Sequence, residues 1–111
     1  MKELLEKLKS LDPTTYKRFA ETELAEYEYD DENGSMVGYI YQENLIDSAK
    51  MAWLQACLQD AISLKGWFFY IQWDTHYGWM ASINDQEEPC AGDSPAKSLL
   101  AAYIAACEAK T

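Results

Sequence analysis

Between Gly66 and Ile83 the apolar positions fall into two short runs separated by a polar knot: Gly-Trp-Phe-Phe-Tyr-Ile-Gln-Trp-Asp-Thr-His-Tyr-Gly-Trp-Met-Ala-Ser-Ile. From Trp67 to Trp73 only Gln72 lacks an aromatic ring or a branched aliphatic side chain, a composition suited to a pleated, largely buried surface. Asp74 to Gly78 is turn chemistry, because Asp can bond its own backbone and Gly is free to take a positive φ. A hairpin closed by residues 74–78 pairs Trp73 with Trp79, Ile71 with Ala81 and Phe69 with Ile83. Strand side chains alternate with period two, so all six point to one face, the expected core.

Helical patterns flank this hairpin. Asn44 to Leu64 reads as a long helix, with Asn44 as its cap, Asp47 near its positive end and Lys65-Gly66 closing it. Ile46, Ala49, Trp53, Ala56, Cys57 and Leu64 form its main stripe, widened by Leu54, Leu58, Ala61 and Ile62. So broad an apolar arc calls for cover on two sides. Its centre is expected on the sheet, and its flank at Leu54, Leu58 and Ile62 under residues 1–20 or a second subunit. After the hairpin, Asn84 to Asp93 reads as a polar loop. Ser94-Pro95 then starts a helix over 95–109, Ser94 as cap and Pro95 as first helical residue, with a buried stripe of Leu99, Leu100, Tyr103, Ile104 and Cys107.

Two shorter helices are expected at the start. Lys2 to Leu11 carries Leu4, Leu5, Leu8 and Leu11 on one side. Asp12-Pro13 stops it and caps a second helix bearing Tyr16, Phe19, Ala20 and Leu24. Residues 24–41 alternate tyrosines with acids around Asn33-Gly34, a tight-turn signal, and read as a hairpin or an extended arm. The pattern predicts one α+β domain over 1–111. It consists of a helical arm (1–23), the acidic, tyrosine-rich hairpin or arm (24–41), and an α–β–β–α core (44–109). The core is a small antiparallel sheet built on 67–73 and 79–83, with helices 44–64 and 95–109 packed on it.

Composition adds charge to this picture. The 111 residues hold nineteen acidic and nine basic groups, a formal net charge of −10. The first eighteen residues carry +2 and the remainder −12. Such a surface repels nucleic acid and suits either a basic protein partner or simply solubility. No apolar stretch approaches the ~18 residues that a membrane span needs, and Met1-Lys2-Glu3 opens no signal peptide, so a cytoplasmic location in a bacterial host is expected without membrane binding. Three cysteines without CxxC spacing (Cys57, Cys90, Cys107) read as thiols of a reducing compartment, and neither metal nor other cofactor is expected.

Chemistry-bearing motifs are few. His76, the single histidine, sits beside Asp74 and Tyr77 in the expected turn, where an acid–base pair would need a pocket and a third group. Cys57 and Cys107 fall on apolar helix stripes, where thiols pack rather than react. Catalysis is therefore not expected. The feature above background lies between Glu21 and Glu32, where Glu21, Glu23, Glu26, Glu28, Asp30, Asp31 and Glu32 interleave with Tyr27 and Tyr29. Carboxylates at strand spacing imitate the charge row of a phosphate backbone, and tyrosines supply rigid contact area. These nine residues form the expected partner-binding surface.

Residues 44–111 resemble the phage ABA sandwich family through Ala52-Trp53, Gly66-Trp67, the short hairpin, and Ser94-Pro95-Ala96 leading into Leu99-Leu100-Ala101-Ala102. The resemblance implies a layered α–β–β–α arrangement, a phage or prophage origin and a host or phage macromolecule as target. Together with the charge it gives the leading expectation, a non-enzymatic accessory protein that blocks a basic, nucleic-acid-binding surface of a host defence protein. An immunity or antitoxin protein against a basic toxin shares that acidic logic. A structural role, in which the long helix builds a homo-oligomer, belongs to a different class.

Overall fold

The computed structural model describes residues 1–21 and 43–110, with residues 43–47 described by backbone alone. The described residues form four helices and a three-stranded antiparallel sheet, an α+β fold. The helices are α1 (Lys2–Leu11), α2 (Pro13–Ala20), α3 (Glu43–Leu64) and α4 (Pro95–Ala109); the strands are β1 (Phe69–Asp74), β2 (Gly78–Ile83) and β3 (Cys90–Gly92), in spatial order β1-β2-β3.

Local chemistry sets the boundaries. The Asp12 carboxylate accepts from the Thr15 amide at 3.1 Å, capping α2 with Pro13 in its first turn. At α4 the Ser94 hydroxyl accepts from the Lys97 amide at 3.1 Å, again followed by proline. α3 ends at Gly66, whose φ of +73° reverses the chain. The Trp67 amide donates to the Ile62 carbonyl and the Gly66 amide to that of Ser63, the two bonds of a left-handed helix stop. The helix begins at Glu43, so Asn44 lies inside it rather than capping it.

The hairpin register is the expected one, with Trp73 opposite Trp79, Ile71 opposite Ala81 and Phe69 opposite Ile83. Asp74 Oδ1 accepts from the His76 and Tyr77 amides at 2.7 and 3.0 Å, and Gly78 takes a φ of +78°. Asn84 to Asp93 is not simply a loop, because Cys90–Gly92 adds a third strand, pairing Trp79 with Gly92 and Ala81 with Cys90. A Cβ built at Gly92 would stand 2.6 Å from the Ser98 amide nitrogen, so the missing side chain is what lets β3 approach α4 this closely.

α4 is the centre of the molecule. It packs on β2 and β3 with one side and on α1 and α3 with the other, and Leu99, Leu100, Ala102, Tyr103 and Ile104 are all buried. α3 packs chiefly against α4 and α2. Leu54, Leu58 and Ile62 are fully buried in one cluster with Leu8 of α1 and Leu99 and Leu100 of α4. That flank is thus covered within the chain, with Leu4, Leu5, Tyr16 and Phe19 packed around the cluster. Each such leucine contributes about 1.5–3 kcal/mol by burial. The face of α3 differs from the expected one: Leu64 is 89% exposed, Ala49 is exposed and Trp53 is half-buried. Its apolar residues run so far around the helix that periodicity alone selects no side, and contact with α4 and α2 decides. On α2, Ala20 is exposed.

Trp73 also departs from expectation. It lies on the inner side of the hairpin by register yet is 60% exposed. α4 covers β2 and β3 more fully than the edge strand β1, and Trp73 stands at the turn end of that edge. Ala81 and Ile83 on the central strand are fully buried, whereas Phe69 and Ile71 are partly so.

Candidate interaction surface

The expected acidic site lies largely outside the described residues: Glu23, Glu26, Tyr27, Glu28, Tyr29, Asp30, Asp31 and Glu32, with Leu24 and the rest of the 24–41 arm. Glu21 is described, exposed at the C-terminal end of α2. The side chains of Ile46, Asn44 and Asp47 fall outside the description as well.

Within the described residues a second surface stands out at the turn end of the sheet. Trp73, Tyr77, Gly78, Trp79, Ala91, Gly92 and Asp93 line an open groove of about 510 Å³. Trp73 meets Trp79 edge-on, with ring centroids 5.4 Å apart and planes at 62°. A Cβ built at Gly78 would lie 3.9 Å from Cζ3 of Trp73, so a side chain here would just touch the tryptophan ring. Tyr77 is 70% exposed beside it. Phe68, just before β1, and Tyr70 on β1 are exposed too. From Gly66 to Ser94 the chain holds five carboxylates and no lysine or arginine, and Asp93 is the one carboxylate that lines the groove, with Lys97 Nζ 3.5 Å from it. Period-two reading identifies the two hairpin strands and their faces but not the groove, because the lateral reach of α4 decides which rings stay uncovered.

Asp74 spends its carboxylate oxygen on the turn amides, and the His76 ring lies against Tyr77 at 6.4 Å between centroids. Cys57 and Cys107 are buried and Cys90 is half-buried; burial pushes all three thiols up. Among the described residues no group of three His, Cys, Asp or Glu side chains could hold a metal ion, and no helix is long and apolar enough to cross a membrane.

A second groove of about 390 Å³ is lined by Leu11, Lys65, Trp67, Cys107 and Lys110. Here the Lys65 and Lys110 ammonium groups lie 5.4 and 5.8 Å from the Trp67 ring centroid. Both lysines follow the last turns of helices, α3 and α4, where a cation offsets the negative helix end. Those positions give the two cations a structural role. No known protein family matches this chain, and neither does any curated protein or solved structure.

Proposed function

We propose that this protein acts by binding another protein, as a phage-type accessory factor whose acidic surface blocks the basic, nucleic-acid-binding face of a host defence protein. The observation that carries the reading is the charge: −10 overall, with seven carboxylates interleaved with tyrosines between Glu21 and Glu32. A basic groove evolved to hold phosphates attracts such a surface over long range and at high rate. The exposed rings of Trp73, Tyr77, Phe68 and Tyr70 add the rigid contact area that charge alone lacks. The resemblance of residues 44–111 to phage ABA sandwich proteins supports a phage or prophage origin and action in the bacterial cytoplasm.

The test is co-purification of the tagged full chain from a bacterial host, at low and at high salt. A chain with Glu26, Glu28, Asp30 and Asp31 reversed to lysine is compared. The reading expects a basic, nucleic-acid-binding partner, lost on charge reversal and weakened steeply by salt, since exposed charges are screened beyond about 10 Å at 0.1 M. Equal capture by the reversed chain at both salt concentrations would overturn it.

A further inference from the structure

The four tryptophans divide into two pairs. Trp53 carries the Arg18 guanidinium 5.2 Å from its ring centroid, and Trp67 carries Lys65 and Lys110. No lysine or arginine among the described residues lies over the ring of Trp73 or of Trp79, although Trp73 is the most exposed of the four. The stretch that supplies the groove, Gly66 to Ser94, contains five carboxylates, no lysine or arginine, and one histidine, His76, so its fixed charge is negative. An aromatic face attracts a cation, and the attraction grows where nearby charge is negative and a neighbouring ring excludes water.

We propose that the groove walled by Trp73, Trp79 and Tyr77 receives an arginine side chain of a basic partner protein. The proposal rests on the protein-binding reading above and assigns it a contact point. A guanidinium fits better than an ammonium, because it is flat, weakly hydrated and stacks on an indole while its edges still donate hydrogen bonds. Asp93, at the rim, supplies an acceptor; its side chain is 80% exposed even with Lys97 Nζ 3.5 Å away on the helix side. The rings need no rearrangement to serve. Trp79 braces Trp73 edge-on, so little freedom is lost on binding.

The experiment follows the four indole N–H signals of the isotopically labelled full chain by NMR during titration with a hexa-arginine peptide. A hexa-citrulline peptide, equal in shape and uncharged, and hexathymidylate serve as comparison probes. The expected result is a saturable shift of the Trp73 and Trp79 signals with the arginine peptide alone, those of Trp53 and Trp67 staying in place. Tyr77→Ala and, separately, Trp73→Ala should weaken the peptide by roughly twofold to fivefold, the loss of one exposed cation–π contact. The Ala81 and Ile83 amide signals report that each variant remains folded. Three outcomes would overturn the proposal: peptide binding with the Trp73 and Trp79 signals unmoved, undiminished affinity in a folded Tyr77→Ala chain, or a thymidylate shift at these two rings. The first two leave the acidic-surface reading standing, whereas no peptide binding at low salt would end both.

Discussion

The Tyr103 hydroxyl donates to the Asp12 carboxylate at 2.5 Å, joining residues 91 positions apart in the sequence. The same carboxylate accepts from the Thr15 amide and hydroxyl, so the cap of α2 is also the polar partner of the largest fully buried side chain of α4. One acid thereby fixes the α1–α2 corner on the central helix. Burial and the bond to Asp12 push the Tyr103 hydroxyl far above its ordinary value. Partial burial pushes Asp12 up, but the bonds from Thr15 and Tyr103, with Lys65 nearby, outweigh it and leave the carboxyl below its usual range.

Removing either partner should therefore cost more than a surface change. Asp12→Ala is expected to lower stability by about 2–3 kcal/mol, combining a lost cap with an unsatisfied buried hydroxyl, and Tyr103→Phe by about 1–2. Urea unfolding of both singles and the double should show a coupling energy of at least about 0.5 kcal/mol. Strictly additive losses would mean that the bond contributes nothing.

The two shifts also predict opposite pH limbs. Asp12 is depressed in the folded chain, so its stabilisation is present above about pH 3.9 and is lost as pH falls through the lower native value. Tyr103 is raised, so its contribution is full below about pH 10 and declines as pH climbs above that. Melting curves of Asp12→Asn should flatten below pH 4, and those of Tyr103→Phe above pH 10, each relative to the unaltered chain.

Gly92→Ala should be among the most damaging of the small changes. Its new Cβ would stand 2.6 Å from the Ser98 amide nitrogen and 3.0 Å from the Ser98 Cα, backbone on both counts. Either β3 or the start of α4 must move, at a cost of about 2–3 kcal/mol. Gly66→Ala meets no atom within 4 Å yet must hold a φ of +73°, which costs about 1 kcal/mol. Thermal melts that rank the two the other way would contradict the close β3–α4 approach.

Trp73→Ala and Leu58→Ala reverse the order that residue size suggests. Trp73 is 60% exposed and should cost about 1 kcal/mol or less, whereas fully buried Leu58 should cost about 2–5. Denaturant titration separates these values easily. A loss of 3 kcal/mol or more at Trp73 would mean that α4 reaches the edge strand further than described.

What could be read from the sequence was local. Asp12-Pro13, Ser94-Pro95 and Lys65-Gly66 act through neighbours within three residues, and they mark helix boundaries unaided. The hairpin register was equally legible, since Asp74 and Gly78 fix the turn and period two does the rest. β3 escaped because three residues, Cys90 to Gly92, are too few to show a period, and Gly92 looks like loop chemistry. The buried side of α3 is not legible, since its apolar arc is too wide for any one stripe to dominate; tertiary partners select Leu54, Leu58 and Ile62. Trp73 shows the remaining limit. Alternation assigns a side chain to a face, but only the width of the covering helix decides whether that face is dry.

Placing α4 at the centre has a consequence for the order in which the protein is made. α1, α2, α3 and the sheet all precede Pro95 in the chain, and α1, α3, β2 and β3 each pack against the helix that follows it. Before Cys107 is added, the leucines of α1 and α3 and the inner face of the hairpin lack the helix that covers most of them. Formation of α4 is therefore expected to be what closes the core, because the faces of α1, α3, β2 and β3 all meet on it.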